Sequence, residues 1–94
     1  MVVGLLTLTL SLPDCRSLKA KRSRLKPLLA RLHKEFNVSA AEVDAHDVWG
    51  TAVVACALVS TASGHAQRRL SQVENWVQTH WPDVTVMDAQ MEVV

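Results

Sequence analysis

Between Cys15 and Lys34 the chain reads CRSLKAKRSRLKPLLARLHK. This stretch holds eight of the ten Lys and Arg residues and none of the nine Asp and Glu residues. Arg16, Lys19, Lys21, Arg22, Arg24 and Lys26 crowd its first half. Side chains of this type and density are suited to meeting phosphate oxygens, Arg through paired N–H donors and Lys as a compact charge. Each such contact with a nucleic acid also releases counterions. The remainder of the chain sets only Arg68 and Arg69 against every acidic residue, so the formal net charge of +1 conceals a strong internal dipole. Charge segregated in this way points to a polyanionic partner more than to small-molecule chemistry. The plainer alternative is a solvated helix face paired with carboxylates from the acidic remainder.

Other reactive side chains are sparser. Glu42, Asp44 and His46 alternate and would share one face of a strand, where two carboxylates and an imidazole suit a divalent cation. No second His or Cys stands at ligand spacing, so the pattern reads first as a charged edge strand. No metal or cofactor is assigned. Cys15 precedes a helix start and follows no Cys-x-x-Cys pattern; Cys56 lies in an apolar run. Two such cysteines make no disulfide framework, which fits a cytoplasmic setting. His33, His46, His65 and His80 have no nucleophile at a legible spacing, and no catalytic residue is assigned. Trp76 and Trp81 read as large core or rim residues. Trp49 lies beside a turn, and an exposed Trp there would mark an interface.

The elements that must position these groups follow from periodicity. Leu6, Leu8, Leu10 and Leu12 alternate with hydroxyl residues, which is a strand with one buried face, ended by Pro13-Asp14. Ser17 is an N-cap for a helix over Leu18–Phe36, whose apolar stripe is Leu18, Leu25, Leu28, Leu29, Leu32 and Phe36. Lys21 alone among the cations falls near the edge of that stripe. Pro27 interrupts the helix, and the in-phase stripe across it predicts one kinked helix rather than two. Asn37 ends it. Val38–Asp47 predicts an edge strand, and Thr51–Ser60, apolar on both faces, a central one. A second helix opens at Ser63-Gly64 with Ala66, Leu70, Val73 and Val77 inward, and Pro82-Asp83 stops it. Val84–Val94 alternates as a last strand.

The order strand, helix, strand, strand, helix, strand predicts a single α+β domain over residues 1–94. It is a ferredoxin-like sandwich with two helices on one face of a four-stranded antiparallel sheet, first and third strands central. RNA-recognition domains of this topology stack bases on central-strand aromatics, but Val3–Leu12 and Thr51–Ser60 contain none. Any RNA contact is therefore expected at the backbone, with little sequence preference. Small metal chaperones share the topology but need a Cys pair that is absent here. Acylphosphatases resemble the chain in size and topology; their phosphate loop is glycine-rich, whereas here it keeps only Arg16.

Ser17-Leu-Lys-Ala-Lys-Arg22, Phe36-Asn-Val-Ser39, Ala41-Glu-Val43 and Asp47-Val-Trp49 together resemble the YlxP-like family of small bacterial proteins, over nearly the whole chain. Ala20 stands where that family usually has an acidic residue. The resemblance implies a ferredoxin-like fold and no established catalytic residue. It also implies a link to RNA or the ribosome, because the family's genes often lie beside those for transcription and translation factors. The expectation is a non-enzymatic module that docks on structured RNA or a ribosomal subunit. Arg16, Lys19, Lys21, Arg22, Arg24 and Lys26 would be its phosphate contacts. One alternative is a homodimeric interaction module whose basic helix meets an acidic protein, its own acidic strand included, with a sheet edge or the sheet face that bears Val3, Leu5, Val53, Ala55, Ala57 and Val59 as the dimer interface. The other is an acylphosphatase-like hydrolase using Arg16. No segment approaches the roughly 20 apolar residues that span a bilayer, so no membrane partner is expected.

Overall fold

The computed structural model describes all 94 residues. Strand β1 (Val2–Ser11) is followed by helix α1 (Leu18–Phe36), β2 (Ser39–Asp44), β3 (Thr51–Ser60), helix α2 (Ser63–His80) and β4 (Thr85–Val93). The strands form one antiparallel sheet in the order β2-β3-β1-β4. This is the ferredoxin-like arrangement that the element order predicts.

The leucine alternation of β1 gives the sheet its two faces. Leu6, Leu8 and Leu10 are fully buried, and across the ladder they align with Cys56, Val54 and Ala52 of β3. Both helices cover this face, α1 through Leu25, Leu28 and Leu32, and α2 through Ala66, Leu70, Val73 and Val77. Gly4 lets α2 approach: a Cβ there would lie 2.9 Å from Leu70 Cδ1 and 3.2 Å from Ala66 Cβ. The opposite face pairs Val3 with Val59, Leu5 with Ala57, Thr7 with Ala55 and Thr9 with Val53, with no helix over it. No strand contains a Lys or Arg.

Helix α1 begins and ends where its capping residues place it. Ser17 accepts a hydrogen bond on its side chain from the Ala20 amide at 3.0 Å, and Asn37 takes the left-handed conformation at φ 52°, its amide donating to His33 O. Pro27 is exposed and sits within a continuous helix.

Strand β2 is shorter than Val38–Asp47. The register slips between Glu42 and Asp44, and Ala45 then adopts φ 59°, which ends the extended run. The slip leaves one residue over in β2 and so turns Glu42 and Asp44 to opposite faces. The shared face expected for Glu42, Asp44 and His46 does not form. Glu42 points under α1, and the His46 ring instead reaches the Glu42 main-chain oxygen at 3.2 Å.

Candidate polyanion-binding surface

The structure divides the cations of α1 into two groups. Lys21 belongs to the interior. Its side chain is 1% exposed, its ammonium donates to Ala45 O at 2.6 Å and Val48 O at 2.8 Å, and it lies 2.7 Å from Glu42 Oε2. Two of the ammonium's three donors go to these carbonyls, and the Glu42 carboxylate stands at ion-pair distance. Its place at the edge of the apolar stripe turns it inward, and Glu42 and two loop carbonyls replace the water it loses. Lys21 is therefore corrected from a phosphate contact to a clasp between α1 and the β2–β3 hairpin.

Arg24 is also committed. Its Nε donates to Asp83 Oδ2 at 2.9 Å, Nη2 to Asp83 O at 2.6 Å and Nη1 to Pro13 O at 2.7 Å. The hydrogen bond that it donates to the Asp83 carboxylate holds the guanidinium even more firmly protonated than usual. Arg24 thus ties α1 to the turns before it and before β4. Arg31 reaches Glu35 at 3.3 Å and lies over the Trp76 ring, 5.4 Å from its centroid.

Arg16, Lys19, Arg22 and Lys26 are exposed and have no side-chain partner, as is also true of Lys34. Lys19, Arg22 and Lys26 stand three and four residues apart, which stacks them along one flank of α1. That flank borders β2, because Arg22, Leu25, Lys26 and Leu29 line a cleft of about 230 Å³ with Glu42. Leu25 and Leu29 supply apolar wall; Arg22 and Lys26 supply charge. Arg16 stands just before the N-cap Ser17, and no acidic residue occupies the first turn of the helix. Free amides at a helix start favour an anion in the same place.

The remaining candidates are separated from this surface. Cys15 is half-buried, and its thiol donates to Ser17 O at 3.6 Å. Cys56 is buried in the core, which pushes its thiol up to about 11. Trp76 and Trp81 pack at the helix seam. The Trp76 ring meets Phe36 edge-on at 5.8 Å, His80 stacked at 5.7 Å and Trp81 tilted at 5.8 Å, besides Arg31. Trp49 is 52% exposed and has no aromatic or cation partner. Sequence reasoning missed the Lys21–Glu42 and Arg24–Asp83 contacts; the position of Lys21 beside the apolar stripe was the one available signal.

The fold and the unpaired cationic flank define a small ferredoxin-like α+β domain with a one-sided basic surface. Residues 3–91 match the family described as "Protein of unknown function (DUF503)", and the chain belongs to that family. It is 32% identical over 71 residues to the uncharacterized protein YlxP of Bacillus subtilis (strain 168), covering 76% of each chain. Among solved structures, the de novo designed protein Ferredog-Diesel aligns with a TM-score of 0.43 at 14% identity, over 98% of this chain and 83% of its own. No helix is long and apolar enough to cross a membrane.

Proposed function

We propose that this domain is a non-enzymatic module that docks on a polyanion through α1, with structured RNA or a ribosomal subunit as the partner. The observation that carries the reading is that Lys19, Arg22 and Lys26 on one flank of α1, and Arg16 just before the helix, are exposed and unpaired. Cations held in reserve from internal ion pairs keep their hydration and attraction for phosphates. The sheet offers no competing site for RNA, since its strands carry no Lys, Arg or aromatic residue. Contacts are to backbone phosphates, so sequence preference on this flank is low.

The test is co-sedimentation with ribosomal subunits at low and moderate salt. Wild type is expected in the subunit fractions at low salt and to leave them as salt rises. The Lys19→Glu/Arg22→Glu/Lys26→Glu variant, folded by circular dichroism, is expected to stay unbound throughout. Association that survives both salt and charge reversal would contradict the reading.

A second reading, homodimerisation, rests on a different surface. The uncovered sheet face carries Val3, Leu5, Val53, Ala55, Ala57 and Val59, with Val59 68% exposed. An apolar face of this kind is covered by association in many small domains. The two readings are compatible, because the helices and the open face lie on opposite sides of the sheet.

A further inference from the structure

Trp49 is the large aromatic that the fold leaves uncovered, and its loop is bonded to the first turns of α1, the helix that bears the unpaired cations. Its loop is tied down at both ends. Lys21 Nζ holds the carbonyls of Ala45 and Val48, and the Leu12 amide donates to Gly50 O at 2.9 Å. The Val48 amide closes a turn onto Ala45 O at 3.0 Å. The residues on either side of Trp49 are therefore bonded to α1 and to the end of β1. Arg22 follows Lys21 in α1, and Arg16 stands four residues beyond Leu12. Two segments distant in sequence, Ser17–Arg22 and Asp47–Trp49, thus meet through one lysine.

A half-exposed indole is costly in water, and this one is not covered by its own chain. Trp76 contrasts with it, since Arg31 and His80 both lie against its ring. Resting on the reading of α1 as a phosphate-binding surface, we infer that Trp49 is a stacking platform for an unpaired base. The bound species is then single-stranded RNA, or a loop of structured RNA, whose phosphates meet Arg16, Lys19 and Arg22 while one base lies on the indole. Stacking tolerates any base because each presents a π face. Restraint of the loop by Lys21 reduces the ordering cost of binding. The opposing charge is Asp47, exposed and two residues from Trp49. Asp44 is partly occupied, accepting from the Ala45 amide at 2.7 Å.

The experiment compares a single-stranded oligouridylate with an abasic ribose-phosphate oligomer of equal length, by fluorescence anisotropy at low salt. Wild type is expected to bind the intact oligomer about five- to a hundredfold more tightly than the abasic one. Trp49→Ala, whose side chain lies outside the core, is expected to erase that preference, and Trp49→Phe to restore part of it. Asp47→Asn is expected to tighten binding of both oligomers. Equal wild-type affinity for the two oligomers, or a preference that survives in Trp49→Ala, overturns the platform while leaving the phosphate surface standing. Failure to bind either oligomer overturns both, and leaves Trp49 as a contact for a protein partner.

Discussion

At the scale of single residues, the environment of each side chain decides its chemistry more than its type does. Lys21 and Lys19 are two positions apart, yet one is buried among acceptors and the other is free in water. Cys15 is half-buried and Cys56 lies in the core. Burial disfavours the Cys56 thiolate and pushes its pKa from 9.0 to about 11. Below pH 9.0 the thiol is neutral in folded and unfolded chains alike, so it adds no pH dependence. Between pH 9.0 and about 11 the unfolded chain releases this proton while the folded chain keeps it, and stability falls as pH rises. The loss is at most about 2–3 kcal/mol. Cys56→Ala lacks this contribution, so the stability gap between wild type and variant is expected to shift across that window in urea unfolding. Parallel pH profiles would show that Cys56 titrates normally.

At the scale of elements, the clasp from α1 to the β2–β3 hairpin is the contact with most at stake. Removing one partner of a buried ion pair leaves the other charge uncompensated. Lys21→Met is expected to cost roughly 2–4 kcal/mol in urea unfolding, because Glu42 and two carbonyls lose their donor. Lys21→Met/Glu42→Leu is expected to recover part of that loss, since apolar replacement of both charges removes the orphaned carboxylate. A single-variant cost below about 0.5 kcal/mol would return Lys21 to the surface class. The same contact marks where sequence reading stops. The limits of α1, the strand order and the uncovered face were legible because they depend on period-2 and 3.6-residue patterns and on local caps such as Ser17 and Asn37, whereas the end of β2 was not. The fate of Lys21 depends on Glu42, twenty-one positions away, and on a register slip that no local pattern announces. That slip also undid the expected alignment of Glu42, Asp44 and His46. Arg24 is similar, its partners Pro13 and Asp83 being distant turns joined only by the fold.

At the scale of the whole molecule, the sheet contributes no positive charge and α1 concentrates it, so the domain has one cationic side. Three internal ion pairs consume Lys21, Arg24 and Arg31. The exposed pairs among them are each worth about 1 kcal/mol or less, so they position the helix more than they stabilise it. What remains is a short unpaired row on a rigid support, suited to salt-sensitive docking. The most direct measurement is the salt dependence of binding to an oligouridylate, as the slope of log K against log salt. For single strands each phosphate neutralised contributes about 0.7 to that slope. Replacing Lys19, Arg22 and Lys26 by Ala is expected to reduce its magnitude by about 2, with weaker binding at every salt concentration. An unchanged slope would mean that these three cations meet no phosphate, and would contradict the assignment of α1 as the docking surface.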